Sequence, residues 1–374
     1  MANRVTQTLI DFSYFTKLSI IGATWTFAIL GALTSDQQLG WLKWVVVLSA
    51  ATGFHFFAYV TNDLIDLDLD KTSTLRSNDL MVRGSLGIKK AIVFAVIQFP
   101  LSMFFCEVTD ISFQAEIALT GAFILILVYN FWGKHATLPV LTDIIQGLSW
   151  ALVYIFGALV AGIPRLDSFL ISVTFIVTYI VMINGVHGSI RDIKADSAYN
   201  VRNMAIKLGG KFIPPNSIYL PISLKLYATI LHLILLASPL LLVWLSRADY
   251  QPIQLYVLLS ILILFEIVAT WLGWKAMQKD HLVEMISPGT VHAFLILFTF
   301  VFSLLLFQIN WITLCITLFL FCAPAVAGGW LVDSITTTLK KIFMNCLAPV
   351  SSMIIVCSST IVIACSNRND FLIR

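Results

Sequence analysis

Apolar residues in this chain gather in long stretches instead of alternating with polar ones. Stretches of spanning length lie at roughly 14–34, 43–61, 88–106, 114–131, 140–162, 168–189, 224–246, 252–274 and 290–309. A weaker tenth lies at about 311–331, and an eleventh at about 343–365. Each approaches the ~20 residues a helix needs to cross the hydrocarbon of a bilayer. Backbone amides find no water there, so a helix is expected for every stretch, and the period-two alternation of a barrel strand is missing. The first stretch is longer than a signal-peptide core and lacks a small-residue cleavage pattern, so it is read as a transmembrane helix. The pattern predicts an all-α, polytopic transmembrane bundle. Nine core helices are expected within residues 1–310, and a C-terminal extension, 311–374, adds one or two apolar helices.

Composition agrees with this reading. Of the 374 residues, 59% are hydrophobic and 11% charged, against about 25% charged in soluble domains. The chain's solvent is therefore expected to be the lipid bilayer. A net charge of +3 gives no reason to expect a nucleic-acid partner. Six cysteines form no CxxC pair, and small packing residues are the expected role. With the N-terminus inside, sixteen Lys and Arg residues, from Arg4 and Lys17 to Lys275 and Lys279, fall on the inner side. Three, Lys43, Arg165 and Arg247, fall outside. The positive-inside rule then puts the N-terminus and the inner loops on the cytoplasmic side of a multi-pass membrane protein.

Two inner loops are long and carry charge of both signs: about 62–88, after the second stretch, and about 188–223, after the sixth. Their matching places, four helices apart, suggest two pseudo-symmetric halves around one cavity. The second stretch ends in Asn62-Asp63-Leu-Ile-Asp66-Leu-Asp-Leu-Asp70. On a continuing helix, Asn62, Asp66 and Asp70 form one polar stripe at i, i+4 and i+8, with Asp63 close beside it and Asp68 well round the helix. Four carboxylates in so short a span repel one another, and a divalent cation resolves the conflict. Carboxylate and amide oxygens suit Mg²⁺, which shares its shell with phosphate oxygens and water. The other loop opens with Arg191-Asp192-Ile-Lys194-Ala-Asp196, again with acids at i and i+4. Two acidic helix ends ringed by Arg and Lys are what Mg²⁺-bridged binding of a diphosphate needs.

These residues resemble the UbiA superfamily of intramembrane prenyltransferases. The match is carried by Asn62 to Asp70, Arg76, Met81-Val-Arg83-Gly84, Tyr129 to Lys134, Arg191 to Asp196 and Val201 to Gly209, within about residues 10–310. The chain departs from the family pattern at Ser77, Leu80, Met81, Asn200 and Asn203, and the part beyond about 310 has no counterpart. The resemblance implies Mg²⁺ as cofactor, held by Asn62, Asp63, Asp66, Asp70, Asp192 and Asp196. It implies a prenyl diphosphate donor, contacted by Arg76, Arg83, Arg191 and Lys194. Tyr129 and Lys134 are implied to assist diphosphate departure, which with Asp66 and Asp192 makes the expected catalytic set. The expected reaction ionises the prenyl diphosphate and transfers the prenyl group to a small, aromatic acceptor. Asn184 and His187, at the inner end of the sixth stretch, are candidates to face the cavity and act as acceptor or base. His55 and Asp143 are intramembrane polar residues of the kind that is functional by default. Phe54, Phe56, Phe57, Phe131, Trp132, Trp150 and Phe156 are candidate groove residues. One branch of the superfamily cyclises the isoprenoid with no acceptor, and that outcome stays open. A transporter is the rival from another class, but here the acids cluster at the membrane edge instead of its midplane.

Overall fold

The computed structural model describes residues 2–34, 39–71, 76, 79–133, 136–162, 166–245, 252–278 and 282–306, with a few positions between 316 and 323. Lys134, and nearly all of the expected C-terminal extension, lie outside the described residues. The chain begins with α1 (Ala2–Phe15), α2 (Ile21–Leu33), α3 (Trp41–Ile65) and the single turn α4 (Leu67–Asp70). It continues with α5 (Ile88–Val108), α6 (Phe113–Trp132), α7 (Pro139–Ala161) and α8 (Leu166–Met182). A π-helical turn, Ile183–Gly188, leads from α8 into α9 (Ser189–Arg191) and α10 (Ile193–Ala198). After α11 (Met204–Lys207) come two strands, β1 (Lys211–Ile213) and β2 (Ser217–Tyr219), paired antiparallel. The helices α12 (Ile222–Leu245), α13 (Pro252–Met277) and α14 (Leu282–Leu306) follow.

Among the described residues seven helical segments are long and apolar enough to cross a membrane: α3, α5, α6, α7, the run Leu166–Arg191, α12 and, in α13, Leu259–Met277. Two shorter apolar helices, Leu18–Leu33 and Pro288–Leu304, correspond to α2 and α14. Seven of the expected core stretches thus fall on helices of spanning length, and the stretches at 14–34 and 290–309 overlap the two shorter ones. Outer faces carry bare apolar side chains such as Val93, Val96, Ile97 and Phe104 on α5, which only lipid would cover comfortably.

Inside the bundle, α7 packs on α2, α6 and α8, while α3 packs on α2, α5 and α6. The α2–α7 crossing is a backbone-to-backbone contact. A side chain on Gly31 would collide with the Tyr154 carbonyl, and one on Gly157 with the Ala28 carbonyl. Small residues permit such close approach between helices in lipid. Polar ties complete the frame. His187 Nε2 meets His292 Nδ1 at 3.1 Å, His292 Nε2 meets His232 Nδ1 at 3.0 Å, and His232 Nε2 meets the Thr270 hydroxyl at 2.9 Å. That chain joins the π-turn to α14, α12 and α13. The polar N-terminal segment forms α1, whose Phe12 and Phe15 pack on Phe56 of α3 and Phe94 of α5.

Candidate active site

The end of α3 bends without losing its hydrogen bonds. Asp66 leaves helical geometry at φ −84°, ψ 2°, yet its amide still donates to the Asn62 carbonyl at 2.9 Å, and the Asp70 amide to the Asp66 carbonyl at 2.8 Å. The polar stripe therefore survives the bend, and Asn62 Nδ2 donates to Asp66 Oδ2 at 3.2 Å. The junction of α9 and α10 repeats the pattern. Asp192 sits at φ −93°, ψ 0°, its amide bonds the Gly188 carbonyl at 2.9 Å, and the Asp196 amide bonds the Asp192 carbonyl at 2.9 Å. The first carboxylate of each acidic pair thus occupies the same sparsely used backbone region, one where active-site residues collect.

Around the first bend the acids are densely matched by cations. Lys17 Nζ lies 3.0 Å from Asp63 and 3.3 Å from Asp79. The Arg76 guanidinium lies 3.4 Å from Asp79, and 3.8 Å from both Asp63 and Asp70. One carboxylate oxygen from each of Asp63, Asp70 and Asp79 falls within 4.8 Å of the others, an all-oxygen group able to hold a metal ion. Burial pushes the Asp70 carboxyl up to about 6; Arg76 pulls it down, while Asp63, Asp66 and Asp79 push it higher. Burial opposes the Arg76 charge, but Asp63, Asp70 and Asp79 outweigh it and hold that guanidinium above its ordinary value. Asp68 stands in solvent beside Lys71, 2.9 Å away.

Lys17 reaches this cluster because His55 holds the backbone that bears it. His55 is fully buried, and its Nε2 lies 3.1 Å from the Thr16 carbonyl and 3.2 Å from that of Lys17. Carbonyls only accept, so Nε2 carries the proton, and Nδ1 accepts from the Thr24 hydroxyl at 2.8 Å. His55, singled out as a polar residue in a span, thus acts on the site through Lys17.

The second acidic pair has its own cation. Arg191 donates to Asp192 through two nitrogens, at 2.9 and 2.7 Å, the forked geometry that guanidinium favours. Asp196 is buried and accepts from Asn203 Nδ2 at 2.7 Å. Asn203 also donates to the Ser189 carbonyl at 3.0 Å and caps α11 by accepting from the Ile206 amide at 2.9 Å. The Asn at this departure from the family pattern thereby braces both ends of the motif. The Lys194 ammonium lies over the Phe212 ring, 5.4 Å from its centre, joining α10 to the hairpin.

The two acidic ends converge. Arg76 and Arg191 feel each other's charge. Tyr129 is within electrostatic reach of Asp66, Asp192, Arg191 and Asp143 together. Its neighbour Asn130 sets it there, donating across to the Ala58 carbonyl at 3.1 Å and the Thr61 hydroxyl at 2.7 Å on α3. Deeper in, Trp150 stands edge-on to Phe54, 5.1 Å between ring centres, with Tyr59 at 6.2 Å.

The remaining expected positions lie as follows. Arg83 pairs with Asp11 of α1 at 2.7 Å and donates to Ser85 at 2.9 Å, so its described contacts tie the loop to α1. Gly84 adopts φ 74°, which its lack of a Cβ permits. Phe131 and Trp132 are exposed on the outer face, whereas Phe54 and Phe156 are fully buried. Sequence reasoning missed Asp79 as a member of the acidic cluster and Lys17 as its partner. The nearest signal was the mixed charge of the 62–88 loop.

The model of the UbiA prenyltransferase family matches residues 23–283. No curated protein matches the chain. Among solved structures, the fold is similar to the apo structure of a UbiA homologue from Aeropyrum pernix K1, at 17% identity and TM-score 0.57, over 77% of this chain and 98% of that one. A UbiA homologue from Archaeoglobus fulgidus bound to GPP and Mg²⁺ is similar at 15% identity and TM-score 0.56, over 79% and 99%. A structure described as digeranylgeranylglyceryl phosphate synthase matches at 16% identity and TM-score 0.55, over 80% and 99%.

Proposed function

Because this chain belongs to the UbiA prenyltransferase family, we propose that it is an intramembrane, Mg²⁺-dependent enzyme that transfers the prenyl group of a prenyl diphosphate to a small aromatic acceptor. The observation that carries the reading is that two acidic helix ends, bent alike at Asp66 and Asp192 and each with its own cations, both lie within electrostatic reach of Tyr129. Asn62, Asp63, Asp66, Asp70, Asp192 and Asp196 would hold Mg²⁺, and Asp79 joins them. The donors are all oxygen, and the Asp63, Asp70 and Asp79 oxygens already gather within one ion's reach. When bound, the metal supplies charge neutralisation for a diphosphate leaving group.

The chain's own residues do the rest. Arg76, Arg191 and Lys17 neutralise charge around the diphosphate, and Lys194 and Arg83 close the loops over it. Tyr129 donates a hydrogen bond to the departing diphosphate oxygen; its reach to Asp66, Asp192 and Arg191 supports that role. Lys134, two turns or less from Tyr129 in sequence, supplies a further cation. As the C1–O bond breaks, the buried rings of Trp150, Phe54 and Tyr59 present π faces and edges that shelter an allylic cation from water. Residues 1–310 form the catalytic unit, 311–374 an extension, and the site faces the cytoplasm.

The test is product analysis with purified protein, Mg²⁺ and a series of prenyl diphosphates, with and without aromatic acceptors. Acceptor-dependent prenylation is expected. Terpene hydrocarbon or alcohol released in comparable yield without acceptor makes the protein a cyclase instead, and no Mg²⁺-dependent diphosphate release removes the reading altogether.

A further inference from the structure

Away from the charged bends, a second polar group lies buried among α7, the π-turn and α12. Asp143 of α7 is 7% exposed, and its Oδ2 is buried with no hydrogen-bond partner. Tyr227 of α12 likewise has a buried hydroxyl without a partner. Both oxygens face Gly185. A methyl group built there would lie 2.9 Å from Asp143 Oδ2 and 3.0 Å from the Tyr227 oxygen. Gly185 falls within the π-helical turn, a distortion frequent at functional sites. Its missing side chain lets both unsatisfied oxygens pack against the backbone there.

The surrounding atoms extend the pattern. Asn184 Nδ2 precedes Gly185 in the chain, and it too is buried and unpartnered. Gln146 Oε1 and Trp150 Nε1 follow Asp143 on the same face of α7, at i+3 and i+7, in the same condition. A folded protein leaves few buried polar atoms unmatched, and each costs about 1–3 kcal/mol. Five side chains from three elements each leave a buried donor or acceptor unmatched.

We propose that this group is the acceptor site, and that it takes an uncharged, hydroxyl-bearing aromatic ring. The inference rests on the transferase reading above. The ring hydroxyl donates to Asp143 Oδ2 and engages the Tyr227 hydroxyl over Gly185. Asn184, Gln146 and Trp150 match a second polar substituent. The address suits the reaction, since Tyr129 lies within electrostatic reach of Asp143 as well as of Asp66 and Asp192. Charge sets the class. Among the described residues no Lys, Arg or His forms an ion pair with Asp143, so nothing beside it would balance a carboxylate on the acceptor in a low-dielectric site.

The experiment uses the full chain in lipid nanodiscs, with hydroquinone and 4-hydroxybenzoate as acceptors that share a phenol and differ in the charge of the para substituent. The donor arm measures Mg²⁺-dependent binding of geranyl and farnesyl thiolodiphosphates. The acceptor arm measures KM for each phenol with the corresponding diphosphate. Wild type is expected to favour hydroquinone at least tenfold in kcat/KM. Gly185→Ala, Asp143→Asn and Tyr227→Phe should each leave donor binding within about twofold and raise the hydroquinone KM tenfold or more. Tyr227→Phe removes one atom, so the test survives if Gly185→Ala disturbs the turn. Equal or better use of 4-hydroxybenzoate overturns the assignment. So do variants that lose donor binding while keeping the acceptor KM, which would make the pocket part of the donor groove. Failure of the transferase reading shows elsewhere, as acceptor-independent product in wild type, and it takes this inference with it.

Discussion

Asp63 and Asp143 are both buried carboxylates near the ends of neighbouring helices, yet their surroundings are opposite. Asp63 is held by Lys17 at 3.0 Å and approached by Arg76 at 3.8 Å, and it shares those cations with Asp70 and Asp79. Asp143 has an oxygen with no partner, facing a glycine and an equally unpartnered tyrosine hydroxyl. A cluster that balances its own charge is stable before any ligand arrives, and can exchange protein cations for a metal and a diphosphate. A cluster left unbalanced spends stability on a ligand that is neutral and supplies hydrogen bonds. Under the proposed function the two regions would divide recognition by charge from recognition by hydrogen bonding, with Tyr129 within electrostatic reach of both.

The largest effect should come from the charged side. Asp66→Ala or Asp192→Ala is expected to lower Mg²⁺-dependent diphosphate release by about 10³-fold, the scale on which removing an electrostatic stabiliser acts, as read by a phosphate-coupled assay. If that chemistry survives both changes, the site assignment is wrong. Lys17→Met comes next. It removes the nearer of the two cations that Asp63 and Asp79 share, leaving Arg76, and should cost about 2 kcal/mol, seen as a lower unfolding temperature in detergent that added Mg²⁺ partly restores. Insensitivity to Mg²⁺ would argue against a metal at this cluster. Tyr129→Phe, which keeps the ring and removes the hydroxyl, should lower kcat by about 10²-fold with little change in thermal stability. The smallest effect sharpens the contrast most. Asp143→Leu removes an unsatisfied group instead of a paired one, so the protein should become more stable by about 1 kcal/mol while acceptor use falls. A marked loss of stability would show that Asp143 is structurally matched after all.

Much of the charged side was legible in the chain because its residues are local. Asn62, Asp66 and Asp70 share a stripe by helical repeat alone, and Asp192 and Asp196 repeat it. Their bends did not disturb the reading, since the hydrogen bonds continue through each one. Asp79 was not legible, as a lone acid in a mixed loop has no periodicity to place it. Lys17 was counted only as an inner charge, because its contact with Asp79 spans 62 positions. The unmatched pocket was the least visible part. Asp143 and Asn184 could be noted as polar residues in apolar spans, but Gly185 and Tyr227 looked like ordinary packing residues, and only the crossing of α7, the π-turn and α12 brings them together.

The sequence by itself determined that the chain lives in a membrane, how its helices divide it, and which two segments carry acids at helical spacing. Those properties depend on apolar length and on neighbours within one turn, which the order of residues states directly. The tertiary structure alone decided which cations those acids meet, that the two bent ends both come within electrostatic reach of Tyr129, and that a carboxylate and a phenol pack against one glycine. Such relations depend on how helices far apart in sequence pack, and packing follows from the fit of whole surfaces, as where Gly31 and Gly157 let α2 and α7 touch along their backbones.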